Sequence, residues 1–378
     1  VSTTTDHDAA TISAEDREAL RVSVAGLLKQ RSGPDAVRAA MSSPSRIDRP
    51  LWQTLCTEIG VAALPVPDEF GGAGAGFAET GVILEETGAV LCPVPVYSAA
   101  IATAAILATG DTDAARRLLP GIASGEKSVA LCWAGPDGWA APGVTAEAGL
   151  LTGTAHYVLD GESADHLLVL AGTSSGLTVH DVDAHAEGIT ITPRPVVDPT
   201  RPLASVTFDD VAATTITAKA DTEDTLRTAA WALLSAEQVG GAARTLDLTV
   251  QYTKERSQFG RPIGSFQALK HRMADMYTLV ETSRSISRAA LDAVAAGAAD
   301  APELAAAAHV YCSESFATVT GEAIQLHGGI GITWEHDIQL YFKRAHGSAL
   351  LFGQPHRVVT ELAKRLHGAM TAQPPTSR

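Results

Sequence analysis

Three stretches in the second half of the chain, residues 222–259, 266–297 and 301–329, carry apolar side chains at helical spacing over many turns. Helices of that length take most of their stability from tertiary packing of an apolar face, so three in succession predict a helical bundle. Shorter helical patterns at 337–353 and 356–370 complete it. The tail AQPPTSR is too polar and proline-rich to join it and is expected to be disordered.

The stretch 127–215 reads differently. SVALCWA, GLLTGTAHYVL, HLLVLAG, GLTVHDV, GITITPRPVV and LASVTFDDV are short, rich in β-branched residues and separated by Gly, Pro and Asp. That spacing predicts a β-sandwich or barrel. Before it, Ser13 can cap a helix starting at Ala14, and LWQTLCTEIGVAAL (51–64) has helical periodicity. FAETGVILEETGAVL (77–91) is also helical, with Glu79, Glu85 and Glu86 expected on its polar side. CPVPVY (92–97) breaks the pattern, and SAAIATAAILATG (98–110) is a buried small-residue helix stopped by Gly110. The 378 residues exceed one compact core. The expected fold is α+β and multidomain: an N-terminal helical domain over 1–126, a middle β-barrel or sandwich over 127–215, and a C-terminal helical bundle over 216–378.

Charge limits the partners. With 43 acidic and 28 basic residues the formal net charge is −15, which disfavours nucleic acid and anionic membranes. No run of 18 apolar residues occurs, and VSTTTDHDAATISAEDREAL lacks the basic and apolar regions of a secretory signal. Cys56, Cys92, Cys132 and Cys312 form no CxxC pair and sit in apolar surroundings, as buried reduced thiols of a cytoplasmic protein would.

Few motifs carry chemistry. EFGGAGAGF (69–77) follows the proline-rich LPVPD rather than a strand, which favours a plain interhelical loop over a dinucleotide loop. YTKERSQFGRPIGSFQALKHR (252–272) concentrates Lys254, Arg256, Arg261, Lys270, His271 and Arg272 around a turn through Gly260, Pro262 and Gly264. The next helix is expected to restart with Ser265 as N-cap. Such a corner can hold a phosphate or can simply be solvated. QLHGGIGITWEH (325–336) places glycines after a helix, either as a C-cap or for close approach to a ligand. Glu335, His336 and Asp337 are sequence neighbours that share no helix face, so a metal site is not expected.

YTKERSQFGRPIGSFQALKHRMADM, QLHGGIGITWEHDIQLYFKRA and LPVPDEFGGAGAGFAETGVILEETG together resemble the acyl-CoA dehydrogenase family, over nearly the whole chain. The resemblance implies FAD held among the three domains, a glutamate that removes the α-proton of an acyl-CoA thioester, hydride transfer to the flavin, and tetramers built as pairs of dimers. An electron-transfer flavoprotein is the implied acceptor. It also implies that the flavin's ADP half is gripped by the neighbouring subunit. The groups for that grip are matched by Arg256, Phe259 and Gly260, by Gln267, and by Gln325, Gly328 and Gly329.

The positions that serve the ring and the chemistry are not matched. The family's glutamate slot near the C-terminus holds Phe352, followed by Gly353, and the alternative slot on the first long helix of the bundle holds Ala230, with Trp231 beside it. A Thr-Glu-Pro loop becomes Ala134, Gly135 and Pro136, and the Trp and Thr of the next flavin-facing strand become Tyr157 and Leu159. Neither Phe nor Ala can take a proton. The leading expectation is a subunit without its own base that completes the FAD site of a homologous catalytic chain in a heterotetramer. A self-sufficient homotetramer with a displaced base (Asp337, Glu335 or Glu237) and a non-enzymatic assembly protein are the other two readings.

Overall fold

The structure is a computed structural model that describes residues 13–372. All of the tail AQPPTSR beyond its first residue lies outside the described residues. The N-terminal helices are α1 (Ala14–Arg31), α2 (Pro34–Met41), α3 (Arg49–Thr54), α4 (Phe77–Ala89), α5 (Val96–Thr109) and α6 (Thr112–Ala123). Ser13 caps α1 by accepting a hydrogen bond from the Asp16 amide, and Gly110 stops α5 at φ +71°. The segment 69–77 is a loop between helices, as its prolines suggest.

One expectation is overturned here. Glu79, Glu85 and Glu86 do not lie on a solvated face of α4: the first two are buried. They are paired with arginines, Glu79 with Arg17, Glu85 with Arg21 and Arg284, and Glu86 with Arg21. The periodicity misled because α1 and α8 cover that side of α4 and bring their own cations to it. Burial pushes the Glu85 carboxyl up, but Arg21 and Arg284 outweigh it and hold it below the usual range.

The β-region holds β1 (Val129–Cys132), β2 (Ala134–Gly135), β3 (Gly138–Pro142), β4 (Val144–Glu147), β5 (Leu150–Leu159), β6 (His166–Thr173), β7 (Gly176–Asp183), β8 (Ile189–Pro193), β9 (Leu203–Ala212) and β10 (Thr214–Ile216). The strands run β10-β7-β6-β4-β5-β2-β3, with β9 on β5 and β8 on β9. Most pairs are antiparallel; β1 and β4 pair with β6 in parallel. Val129, Leu131, Leu168 and Leu170 belong to the core shared with the helices, while Ala130, Cys132, Leu167, Val169 and Ala171 belong to the core of the β-region itself. Burial on both faces is why β1 and β6 read as unbroken apolar runs.

The bundle consists of α7 (Thr222–Glu255), α8 (Gln267–Ala295), α9 (Ala301–His327), α10 (Ile338–Ser348) and α11 (Pro355–Ala372). Between α7 and α8 a small hairpin pairs β11 (Ser257–Gln258) with β12 (Arg261–Pro262). Helix α7 thus ends before the Ser257–Phe259 stretch that its periodicity included. Ser265 is not the cap of α8. That place is taken by Phe266 with no side-chain hydrogen bond, because the Ser265 hydroxyl is already donating to the Pro262 carbonyl. Helices α4 and α7 touch backbone to backbone: a Cβ on Gly88 would lie 2.3 Å from the Glu237 carbonyl oxygen, and one on Gly240 1.8 Å from that of Glu85. Among the described residues no helix is long and apolar enough to cross a membrane.

Candidate functional site

Two regions hold the residues singled out by the sequence. The first is an exposed corner. The β11–β12 hairpin presents Phe259 at φ +53° and 92% exposed, with Gly260 beside it and Arg256 just before. Phe266 meets Phe259 edge-on at 6.2 Å, and the Arg261 guanidinium lies 4.1 Å above the Phe266 ring. At the end of α9, Gly328 turns the chain at φ +64° and acts as the helix C-cap. Gly329 has neither a left-handed φ nor any atom within 4 Å of an added Cβ, so nothing within the chain requires a glycine there. Tyr252 ties the two parts together: its ring stacks on His327 at 4.4 Å and its hydroxyl donates to the His327 carbonyl. Arg256, Phe259, Gly260, Gln267, Gln325, Gly328 and Gly329 are all exposed.

The second region is closed around the two glutamate slots, which the fold brings together at Tyr97. The Tyr97 hydroxyl donates to the Ala230 carbonyl at 2.8 Å, and its ring lies 5.9 Å from that of Phe352. Phe352 is 1% exposed and also packs against Trp139 at 4.5 Å and Trp133 at 6.0 Å. Burying such a ring stabilises by roughly 2–3 kcal/mol. The main chain at Phe352 is left-handed, φ +59°, which costs a non-glycine residue about 1–2 kcal/mol. Two side chains hold it there. Trp231, on α7, donates its Nε1–H to the Phe352 carbonyl at 3.1 Å, and His309, on α9, donates its Nε2–H to the Gly353 carbonyl at 2.8 Å. The two rings stack at 5.9 Å. Burial pulls the His309 pKa down to about 4, so the imidazole is neutral at physiological pH.

The other carboxylates considered as bases are engaged or remote from this cluster. Glu237 is buried between Arg201 and Arg344, and Arg344 also binds Asp198 and Thr200. Asp337 pairs with Arg38. Glu335 is exposed on the turn beyond Gly329. Sequence reasoning missed Tyr97, Trp133, Trp139 and His309. The visible signal was the density of aromatics in VPVY and ALCWAGPDGW, whose convergence only the fold reveals.

Beside Phe352 a cavity of about 680 Å³ opens between the β-region and the bundle. Tyr157, Trp139, Leu203, Trp231, Leu351 and Val358 contribute apolar wall, and Arg201, Arg227 and Arg357 contribute guanidiniums. Tyr157, at φ +54° and 43% exposed, stacks on Trp139 at 6.5 Å. Leu159 and Ala134 are buried and bring no hydroxyl.

Residues 14–126 match the acyl-CoA dehydrogenase N-terminal domain, and residues 228–367 match the acyl-CoA dehydrogenase C-terminal domain. The chain belongs to the acyl-CoA dehydrogenase family. Acyl-CoA dehydrogenase IpdE2 of Mycolicibacterium smegmatis is 43% identical over 92% of this chain and 98% of its own length. The protein of the same name from Mycobacterium tuberculosis is 41% identical over 92% and 96%. Among solved structures, a variant of the Tcur3481-Tcur3483 steroid acyl-CoA dehydrogenase superposes with TM-score 0.88 at 30% identity, covering 95% of this chain and 99% of that one. The ChsE4-ChsE5 complex from Mycobacterium tuberculosis gives 0.86 at 27%, covering 96% and 99%. Membership makes this chain one of a family of FAD-dependent oxidoreductases acting on acyl-CoA, with bacterial relatives in steroid and lipid catabolism.

Proposed function

We propose that this chain is the base-lacking subunit of a heteromeric acyl-CoA dehydrogenase and completes the FAD site of a homologous catalytic chain. The observation that carries this reading is the contrast at the two glutamate slots. Phe352 and Ala230 are packed into one aromatic cluster with no free carboxylate among the described residues around it, while the corner of Arg256, Phe259, Gln325 and Gly328 stands exposed. FAD, when bound, accepts the hydride released as the acyl-CoA is desaturated. This chain's part is to hold the ADP half: Arg256 supplies a charge-assisted donor for the pyrophosphate, and Gly328 and Gly329 let that group approach the main chain. The ring half fits poorly here, since Ala134 and Leu159 offer no hydroxyl. Two of the solved structures most like this chain are two-protein assemblies by name, which supports a partner of the same fold. The partner's glutamate would take the α-proton, an electron-transfer flavoprotein would take the electrons, and the complex would work in the cytoplasm.

The test is to express this chain alone and together with a homologous catalytic chain encoded beside it, and to measure flavin content and acyl-CoA oxidation. The expected result is a colourless, inactive chain alone and a yellow, active complex with one FAD per two chains. A chain that is yellow and oxidises an acyl-CoA by itself overturns the proposal.

A further inference from the structure

If the flavin ring belongs to the partner chain, as proposed above, the cavity of about 680 Å³ beside Phe352 is left for another molecule. We propose that it binds an apolar, ring-bearing carboxylate and holds it without turnover. Its size is that of a small-molecule site, mostly apolar with a few convergent polar groups. Trp139 and Tyr157 offer aromatic surface from the β-region, and Trp231, Leu351, Val358 and Leu362 face them from the bundle. Such walls suit a rigid ring system, which loses little conformational freedom on binding.

The polar groups of the wall select the other end of the ligand. Most are already satisfied: Asp198 by Arg344, Glu361 by Lys364, Arg227 by Glu223 and the Trp139 carbonyl. Two guanidiniums are not. Arg201, 9% exposed, gives Nη2 to Glu237 but its Nη1 has no partner among the described residues. Arg357, on α11, is exposed and has no ion pair among the described residues. A buried donor without an acceptor is costly, and a guanidinium matches a carboxylate in shape and charge. Asp137, the wall carboxylate without a cation, sits on the exposed β2–β3 turn, where water and salt screen it.

The test titrates the full-length, flavin-free chain, and separately its complex with the catalytic chain, with cholate below its micellar concentration. Cholate methyl ester and decanoate serve as controls. Heat and the fluorescence of the wall tryptophans are read. The expected result is saturable binding of one cholate per copy of this chain, at least tenfold weaker for the ester and for decanoate. Arg357→Ala is expected to weaken cholate at least tenfold and leave the ester unchanged, with Arg357→Lys recovering part of the loss. Val358→Trp, which fills the cavity, is expected to abolish both. Equal binding of cholate and ester, wild-type binding by Arg357→Ala, or no saturation overturns the inference. Arg357 is exposed, so its variants stay informative even if Val358→Trp does not fold. Flavin bound by this chain alone would overturn the proposed function instead, and cholate displacing that flavin would overturn both.

Discussion

The hairpin corner and the Phe352 cluster lie at opposite extremes of satisfaction. At the corner an aromatic ring is 92% exposed, arginines point into solvent and a glycine occupies a position that its own chain does not demand. Around Phe352 the rings interlock and both carbonyls of the Phe352–Gly353 pair are capped, so the cluster is complete in itself. A surface that its own chain leaves unfinished invites an external partner, and a core that is finished does not. The difference teaches that loss of a catalytic group need not leave a hole: the slot has become structural, while the adjoining groups that serve another chain stay available.

The largest effect should come from reversing the slot. Phe352→Glu places a carboxylate among Tyr97, Trp133 and Trp139 with no cation bonded there. It is expected to lose about 3–5 kcal/mol of stability by denaturant unfolding, as an uncompensated buried charge does, and to gain no dehydrogenase activity. A stable, active Phe352→Glu chain would break the comparison. Next, Arg256→Ala in the complex is expected to weaken FAD retention about tenfold to a hundredfold with unfolding unchanged, since the side chain is exposed and its bond to a phosphate would be charge-assisted. Unchanged flavin content would remove the corner from the cofactor site.

The smallest effect concerns pH. His309 has a pKa lowered to about 4 by burial, against about 6.5 in an unfolded chain, so the unfolded state binds the extra proton in that interval. Its contribution to stability is therefore intact above about pH 6.5 and is lost as pH falls toward 4. Unfolding at pH 7 and pH 5.5 should differ by about 1 kcal/mol from this group, and His309→Gln should remove that part of the slope.

The chain's architecture was legible because long helical periods, short β-branched runs and their turn residues each speak locally. The exposed corner was legible for the same reason: Arg256 to Gly260 and Gln325 to Gly329 are contiguous motifs. The cluster was not. Tyr97, Trp133, Trp139, Trp231, His309 and Phe352 come from six separate places along the chain, and each alone reads as an ordinary core residue. The burial of Glu79 and Glu85 was hidden similarly, because amphipathic spacing cannot report that a neighbouring helix carries the matching arginines. Ser265 illustrates a smaller failure: its hydroxyl had a carbonyl within reach one turn earlier than the helix it was expected to cap.

The crossing of α4 and α7 has a mechanical consequence. With the main chain of each helix pressed on the glycine of the other, a slip of either by one residue would drive a side chain into its neighbour's backbone. That joint is a rivet rather than a bearing. Any widening of the molecule to admit a guest therefore has to come from the other end, where α11 and the β2–β3 turn form the walls.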